Sequence, residues 1–350
     1  MKIIFIAPNL DIYGGNLVMM KYAQALSQRG HRINIMAPGD KRRIEIPPKI
    51  SIQESSGLKN RYLSFFSFQL NYLPWIVKNI PRDAEIIIPI YSPFIVHAIV
   101  AKRIHKMNKA KILPLFQDCR EMIWAGRYIF WLLRQGFVKN NINQMIVVSN
   151  YLADLIRRNS GIKPIVVRNA VEHEYFYPRE IPKENYLLFV GRRNISKGFP
   201  YLIRALKIVW KEFPDLKVRV VSPERTPAKN PRIEHLQYQG DRKALGEIYA
   251  KALIYVNASI GESFTLPPLE AMACGTACVL TNTSGIREYA QRNKNCLVVP
   301  IKNPYQMACA IIKLVKNPAQ RKKLEQNGPK TSSKYNWSDA TKKFCRIIES

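Results

Sequence analysis

The sequence predicts an α/β protein with two domains, each built around a parallel sheet. Short apolar runs typical of buried strands alternate with segments of helical periodicity, which is the pattern of βαβ units. The pattern begins at Ile3–Ala7 and begins again at Tyr186–Val190, and 350 residues suit two domains of ordinary size. We therefore predict two Rossmann-like, doubly wound halves over residues 1–178 and 179–335, with a helix over 336–350 that packs back on the first.

The individual elements follow from the same two periodicities. The first helix is predicted over Leu17–Gln28, after a loop that runs to Gly15, and the helix of the second half over Phe199–Phe213. The strands predicted for the first half are Ile3–Ala7, Ile33–Ala37, Glu85–Ile90, Lys111–Leu115 and Gln144–Val148. Those of the second half are Tyr186–Val190, Lys217–Val221, Leu253–Val256, Ala277–Leu280 and Leu297–Val299.

The charge of the chain is strongly positive. It carries 55 Lys and Arg against 25 Asp and Glu, which gives a formal net charge of +30. Such a field attracts polyanions, meaning nucleic acid, anionic lipid surfaces or phosphorylated substrates, although it also serves solubility alone. A hydrophobic content of 47% excludes global disorder.

Cysteine usage and the chain start favour a cytoplasmic protein. The six cysteines form no CxxC pair, so a zinc site is not expected. The cysteines are instead expected to be reduced thiols, most of them buried. The apolar run at Ile3–Ala7 is too short for a signal peptide and indicates a buried strand. No stretch reaches the roughly 20 apolar residues of a membrane-spanning helix.

Two aromatic segments have two open interpretations. One is a membrane interface, with rings at headgroup depth and cations nearby, and the other is the ordinary packing of amphipathic helices. The first segment contains Tyr62, Phe65, Phe66, Phe68, Tyr72 and Trp75. The second is Tyr128–Leu133, flanked by Arg127 and Arg134.

The strongest local signal is a pair of glutamates. Glu262 is predicted on the loop after a strand, and Glu270, eight residues later, in the first turn of a helix that Gly275 ends. Ionised carboxylates suit a hydroxyl-rich ligand, and the helix start offers N–H groups to a phosphate. The alternative is that Glu270 only favours the helix N-terminus electrostatically.

A basic glycine turn is the second signal. Gly191–Gly198 follows a strand and carries Arg192, Arg193 and Lys197 without the spacing of a Walker loop or a GxGxxG motif. Cations at the carboxyl edge of a parallel sheet suit a diphosphate, and a solvated basic turn is the alternative. A third, weaker signal is Gly14-Gly15, where the backbone can approach a ligand closely; an ordinary turn is the equally open alternative. The histidines form no metal-spaced pair, and no GxSxG elbow is present.

Taken together and in this order, the motifs resemble the GT-B glycosyltransferases, in particular the retaining family 4. The resemblance covers nearly the whole chain. It is carried by the glycine pair with Arg29–His31, by Val147–Asn150, by Asn169–Pro178, by Phe189–Gly198 and by Glu262–Glu270, which is similar to the family's EX7E signature. Departures are the Gln117-Asp118 stretch, where many relatives have a histidine, and Thr281–Gly285, where a Gly-Gly turn is more usual.

The resemblance implies roles for these residues. Arg192 and Lys197 would hold the donor diphosphate and stabilise the leaving nucleotide, while Glu262 would contact the transferred sugar; these three are the expected catalytic residues. Glu270 would accept hydrogen bonds from the ribose, and the two early glycines would close over the donor from the other domain. The expected donor-binding set is Gly14, Gly15, Gly191, Phe264, Thr265, Leu266, Glu270 and Tyr249. The acceptor-side candidates are Gln117, Asp118 and Asn150.

The implied function is retaining transfer of a hexose from a nucleoside-diphosphate sugar to a glycan or lipid-linked acceptor in cell-envelope polysaccharide synthesis. Fixed cations beside the leaving group stabilise its charge, and no DxD pair appears, so neither a metal nor another cofactor is expected. The charge and the aromatic segments favour a peripheral position on the inner face of the membrane, with no nucleic-acid partner. A nucleotide-sugar epimerase of the same fold and a nucleic-acid-directed glycosyltransferase stay open as alternatives. The donor base, the sugar, the acceptor and the oligomeric state stay open.

Overall fold

The computed structural model describes residues 1–12, 14–38, 44–55, 65–117, 136–192, 195–224 and 230–350. The chain divides into two compact units. Unit 1 comprises Met1–Arg168 with Ser338–Ser350, and unit 2 comprises Asn169–Trp337. Each unit contains parallel strands with helices between them, which confirms the predicted fold class.

Unit 1 has a five-stranded parallel sheet with the order β3-β2-β1-β4-β5. Its strands are β1 Lys2–Ile6, β2 Arg32–Pro38, β3 Ile50–Ser55, β4 Ile86–Pro89 and β5 Lys111–Ile112. The side chains of β1 between Ile3 and Ile6 are fully buried. The order reverses between β1 and β4, so the loops after these two strands leave the same edge of the sheet in opposite directions.

A second, three-stranded parallel sheet in unit 1 has the order β6-β7-β8. Its strands are β6 Leu115–Phe116, β7 Ile146–Val147 and β8 Ile165–Val166. The single strand predicted over Lys111–Leu115 is therefore wrong, because it belongs partly to each sheet. Pro114 stands at the change of sheet: it has no N–H for a ladder, and its carbonyl accepts from Ile146 N at 2.9 Å.

The helices of unit 1 are α1 Gly14–Gln28, α2 Phe65–Asn79, α3 Ser92–Ile104 and α4 Asn150–Ser160. Helix α1 begins three residues before the predicted start at Leu17, so the glycine pair is its first turn and not part of the preceding loop. It ends before Gly30, whose φ of +85° favours glycine.

Tyr72 of the first aromatic segment belongs to the core of unit 1, whereas Tyr62 and the side chains of Phe65, Phe66 and Phe68 lie outside the described structure. In α2, Tyr72 is fully buried and its ring stacks on Trp75 at 5.1 Å and packs on Phe94 at 5.2 Å. Core packing, the alternative to a membrane interface, therefore describes Tyr72. The second segment, Tyr128–Leu133, lies outside the described residues. Within the described ranges, no helix has both the length and the hydrophobicity to cross a bilayer.

Unit 2 has a six-stranded parallel sheet with the order β11-β10-β9-β12-β13-β14, the 3-2-1-4-5-6 arrangement of a Rossmann fold. Its strands are β9 Glu184–Val190, β10 Lys217–Ser222, β11 Ile233–Gln237, β12 Ala252–Asn257, β13 Ala277–Thr281 and β14 Leu297–Val299. Its helices are α5 Phe199–Glu212, α6 Arg242–Lys251, α7 Leu266–Ala273, α8 Pro304–Lys316 and α9 Pro318–Ser332, with a 3-10 turn over Ser284–Glu288.

The boundary between the units falls between Arg168 and Asn169, ten residues before the predicted boundary at 178. The intervening segment packs within unit 2: Phe176 is fully buried, with its ring edge-on to Tyr249 at 5.7 Å. The last helix, α10 Trp337–Glu349, lies almost entirely in unit 1. There Phe344 stacks on Tyr22 of α1, with ring centroids 4.0 Å apart.

Candidate active site

The topology of unit 2 brings two loops to one position at the edge of its sheet. Strands β9 and β12 are parallel neighbours, and the chain continues from β9 towards β10 on one side and from β12 towards β13 on the other. In open parallel sheets such a switch point forms a crevice at the carboxyl ends of the strands, where ligands bind. The two loops are residues 191–198 and 258–265, which contain the predicted basic turn and Glu262.

These two loops contact each other through backbone atoms. Gly198 has a φ of +71°, and a Cβ at this position would lie only 1.7 Å from the carbonyl oxygen of Ala258. Ile260, two residues after Ala258, donates its backbone N–H to the carbonyl oxygen of Ser196 at 3.1 Å. Only glycine allows this approach, so the sequence Lys197-Gly198 fixes the basic turn against the second loop.

The result is an ion pair between two predicted catalytic residues. Lys197 Nζ lies 2.6 Å from Glu262 Oε1, and the Glu262 side chain is 7% exposed against 24% for Lys197. Ser259 also donates to Oε1, at 3.0 Å. Among the described residues, the contacts to this carboxylate thus end on Oε1, which leaves Oε2 for a ligand hydroxyl.

Arg192 lies on the same loop in a more open position. Its Nε is 3.7 Å from Glu224 Oε1, and both side chains are exposed, by 37% and 53%. An exposed pair at this distance is weak, so a phosphate could replace Glu224 as the partner. Gly191, with a φ of +150°, directly follows β9, and its N–H donates to the Val221 carbonyl at 2.9 Å. Arg193 lies outside the described residues.

The start of α7 provides fewer N–H donors than the sequence analysis expects. Leu266 is its first residue, and Pro267 and Pro268 follow without N–H groups, which leaves the amides of Thr265 and Leu266 for an anion. The Thr265 carbonyl accepts from the Tyr289 hydroxyl at 2.7 Å, and Phe264 packs on the Tyr289 ring. Thr265 Oγ1 is buried and has no hydrogen-bond partner among the residues described.

Glu270 does not lie in the first turn of α7, as the sequence predicts, but is its fifth residue. Both of its oxygens are engaged: Oε2 accepts from the Tyr249 hydroxyl at 2.9 Å, and Oε1 lies 3.3 Å from Arg242 Nη2. Burial raises the pKa of this carboxyl above its usual value, and Arg242 and then Tyr249 oppose that rise. The dipole interpretation is therefore wrong, because Glu270 belongs to a buried polar cluster.

Tyr249 differs from its predicted role as a donor-binding residue. Its side chain has no exposed surface, its hydroxyl donates to Glu270, and its ring packs on Phe176 and Tyr255. A ligand cannot reach it without rearrangement, so it supports Glu270 from behind.

Four further residues of this site have no role predicted from the sequence. Arg242 and Glu172 complete the cluster around Glu270, with Arg242 Nη2 in contact with Glu172 Oε2. Ser259 orients Glu262. Gly285, in the 3-10 turn, packs on the glutamate loop so closely that a Cβ would lie 2.9 Å from Phe264 N. Ser259 carried a signal as a polar residue two positions after a strand, and Glu172 and Gly285 lie in segments that carried the family resemblance or departed from it; Arg242 carries no signal in the sequence.

In unit 1, the structure brings Gly15 and Gln117 together. Gln117 Nε2 donates to the Gly15 carbonyl at 3.0 Å, while Gly14 is exposed at the helix start. Asn150 is the exposed first residue of α4, after the N-cap Ser149, and no described contact joins it to Gln117. Asp118 lies outside the described residues. The acceptor-side roles stay predictions.

Two family models match the chain. The model described as Glycosyl transferases group 1 matches residues 173–331, and the model described as Glycosyltransferase Family 4 matches residues 12–175. This chain belongs to the group 1, family 4 type of glycosyltransferases. The first match contains Lys197, Glu262 and Glu270 of this glycosyltransferase, and the second contains Gly15 and Gln117.

Known proteins similar to this glycosyltransferase agree with that membership. An uncharacterized glycosyltransferase of Methanocaldococcus jannaschii is 29% identical over 64% of the chain and 63% of its own length. The phosphatidyl-myo-inositol mannosyltransferase of Mycobacterium tuberculosis is 27% identical over 61% of the chain and 62% of its own length. The chain thus spans less than two thirds of the length of either relative. A solved structure of Anabaena HepE with UDP and glucose has a TM-score of 0.78 at 14% identity, with 100% of both chains covered, which shows the shared GT-B fold.

Proposed function

We propose that this glycosyltransferase transfers a hexose from a nucleoside-diphosphate sugar to a glycan or lipid-linked acceptor in cell-envelope polysaccharide synthesis. The Lys197–Glu262 ion pair at the switch point of unit 2 carries the proposal. It places a cation and a carboxylate 2.6 Å apart, with Glu270 one helical turn into α7. A donor sugar nucleotide needs this combination, because it has a charged diphosphate between two groups rich in hydroxyls.

The transfer breaks the bond between the anomeric carbon and the diphosphate oxygen and forms a bond from that carbon to the acceptor oxygen, whose proton passes to the departing diphosphate. Negative charge grows on the diphosphate and positive charge on the sugar ring. Lys197 and Arg192 stabilise the leaving diphosphate, together with the Thr265 and Leu266 amides. Glu262 accepts from the sugar hydroxyls. Because these cations are fixed in place, the proposed reaction needs no metal ion, and we propose retention of the anomeric configuration.

Glu270 would bind the ribose hydroxyls of the donor. Two similar proteins support a sugar nucleotide and a lipid as the substrates: HepE was solved with UDP and glucose, and the mycobacterial relative is named for phosphatidyl-myo-inositol. The net charge of +30 suits a peripheral position on an anionic membrane surface, where such acceptors reside.

The test is calorimetry of the purified chain with UDP, GDP, ADP, TDP and CDP and their sugars. We expect one base to bind, and we expect the double variant R192A/K197A to lose at least about tenfold in affinity, since each charge-assisted contact to phosphate contributes about 1.5–3 kcal/mol. Lys207→Ala is the control, an exposed cation two turns into α5. Full donor affinity in the double variant would refute the proposed site.

Product analysis distinguishes the transferase from an epimerase of the same fold. A transferase gives glycosylated acceptor and, without acceptor, only slow hydrolysis of the donor. An epimerase converts the sugar while it is still attached to the nucleotide, and that product would contradict the proposal. Chelation of divalent ions during the same assay tests the metal independence, and loss of transfer would contradict that part.

A further inference from the structure

We propose that Arg242 is a positioning residue for the donor-binding carboxylate of Glu270, and that Tyr249 completes a clamp on that carboxylate. The inference rests on the proposed function, in which Glu270 binds the ribose of the donor nucleotide. It adds to that function a residue that does not touch the ligand but decides whether Glu270 can bind it.

The position of Arg242 is fixed from several directions. It is the first residue of α6, after Asp241, whose carboxylate accepts from Ala244 N at 2.9 Å as the N-cap. Its Nη2 contacts Glu172 Oε2 and lies 3.3 Å from Glu270 Oε1. Its guanidinium lies over the Phe176 ring at 4.8 Å. A planar side chain held by a helix start, an aromatic face and two carboxylates has little freedom to move.

The clamp determines which part of Glu270 faces a ligand. Arg242 engages Oε1, while the Tyr249 hydroxyl engages Oε2 from a fully buried position. A carboxylate has about four acceptor positions, so about two remain for ligand hydroxyls, both in fixed directions. Two adjacent hydroxyls on one face of a ribose present two donors side by side, which is the pattern that such a carboxylate accepts.

Arg242 also determines the charge state of Glu270. One arginine and two glutamates share this buried position, with side-chain exposures of 18% for Arg242, 11% for Glu172 and 6% for Glu270. The other titratable groups that face Glu270 are the hydroxyls of Tyr238, Tyr249 and Tyr255 and the thiol of Cys274, and burial raises the pKa of each of them. Burial raises the pKa of Glu270, and the Coulombic effect of Arg242 is the largest one that lowers it. Without the arginine, two carboxylates would lie in one poorly solvated site, and one of them would take up a proton. A protonated Glu270 accepts fewer hydrogen bonds from hydroxyls.

The chain contains a matched control. Arg219, on β10, also bridges two carboxylates, with Nη1 2.9 Å from Glu184 Oε2 and Nε 2.7 Å from Glu234 Oε2. Its guanidinium also lies over an aromatic ring, that of Tyr186, at 4.1 Å. Arg219→Met therefore removes a similar but more exposed arginine, with carboxylate exposures of 40% and 49%, from the same unit without touching the switch point.

The experiment measures the affinity of the full chain for the preferred nucleoside diphosphate by calorimetry at a series of pH values between about pH 6 and pH 9. We expect R242M to bind at least about tenfold more weakly than wild type at neutral pH and to regain affinity as pH rises and Glu270 ionises. R242K keeps a positive charge, so its affinity should be reduced with little dependence on pH. R219M should bind like wild type. In an E270Q background, R242M should have little further effect.

The outcomes separate the two proposals. Wild-type affinity in folded R242M at every pH, or an equal loss in R219M, would overturn the positioning role and leave the donor site intact. An R242M loss that is independent of pH and unchanged by E270Q would also overturn it, because it would indicate a general effect on the fold. If the wild-type chain binds no nucleoside diphosphate at all, the proposed function fails, and this inference fails with it.

Discussion

The backbones of Gly198 and Ala258 are in contact, and they are so close that any side chain at position 198 would clash with the Ala258 carbonyl. A Cβ on Gly198 would lie 1.7 Å from the Ala258 carbonyl oxygen and 2.5 Å from its carbon. The contact joins the loop that follows β9 to the loop that follows β12, and each of these loops supplies one partner of the Lys197–Glu262 ion pair. The pairing of the Lys197 ammonium with the Glu262 carboxylate therefore depends on the absence of a side chain at position 198.

Gly198→Ala should accordingly destabilise unit 2 by about 3 kcal/mol or more, since it combines a positive φ with a backbone clash. Equilibrium unfolding in urea measures the change. Gly261→Ala is the control: it lies in the glutamate loop, has no positive φ, and a Cβ there would have no atom within 4 Å, so it should change stability by less than about 0.5 kcal/mol. Equal losses in the two variants would contradict the role of the Gly198 contact.

The sequence predicts the strands and loops of this switch point well because their signals are local. The apolar run of β9, the glycines after it and the two glutamates are each visible within a few residues. The strands β3, β8 and β11 escape prediction for a physical reason. All three lie at an edge of their sheet, and many of their side chains are only partly buried. Their sequences therefore need no continuous apolar run, which is the signal by which the other strands are predicted.

The support of Glu270 could not be predicted in the same way. Arg242 lies 28 residues before Glu270 in the chain. From the sequence alone, a lysine or arginine directly after a helix N-cap is expected to be a solvated surface residue. Only the packing of α6 beside α7 brings the guanidinium to the carboxylate. The contact between Tyr249 and Glu270 depends on the same packing of α6 beside α7, so the sequence alone predicts a donor-binding role for Tyr249 instead.

His97 should make the stability of unit 1 depend on pH. Its side chain is 5% exposed among Phe94 and Tyr72, Nδ1 has no hydrogen-bond partner among the described residues, and burial lowers its pKa to about 4. The unfolded chain, with a histidine pKa near 6.5, binds a proton between these values and the native chain does not, so stability falls as pH falls through this window. From pH 7 to pH 5 the loss is about 2 kcal/mol.

Urea unfolding of wild type and His97→Phe at the two pH values checks this. The phenylalanine cannot titrate, so the variant should lack about 2 kcal/mol of the wild-type pH dependence, whatever the other groups contribute. Subtracting the stability change of the variant between the two pH values from that of wild type cancels the contribution of the surface carboxylates, which titrate in both proteins. An identical change in stability for both proteins would mean that His97 is solvated or hydrogen-bonded in solution.

The net charge of +30 should produce salt-sensitive binding to an anionic membrane surface. We expect flotation with vesicles that contain anionic lipid at about 50 mM salt, and loss of binding at about 500 mM, where the Debye length falls to a few ångströms. Vesicles of neutral lipid are the control and should not bind. A preference for duplex DNA over anionic vesicles, with a steep salt dependence, would instead support the nucleic-acid-directed alternative.

The last helix should stabilise unit 1, although it follows unit 2 in the sequence. Phe344 is fully buried and stacks on Tyr22 of α1 at 4.0 Å, and Glu349 pairs with Arg29 at 2.8 Å. Phe344→Ala removes a large ring from this contact and should destabilise unit 1 by about 3–5 kcal/mol. Hydrogen exchange should then accelerate in α1 peptides and stay unchanged in peptides from β9 and β12. Lys343→Ala, which changes an exposed neighbour on the same helix, should leave both regions protected. Faster exchange in β9 with α1 unchanged would contradict the assignment of α10 to unit 1, because the ring would then be stabilising the other unit.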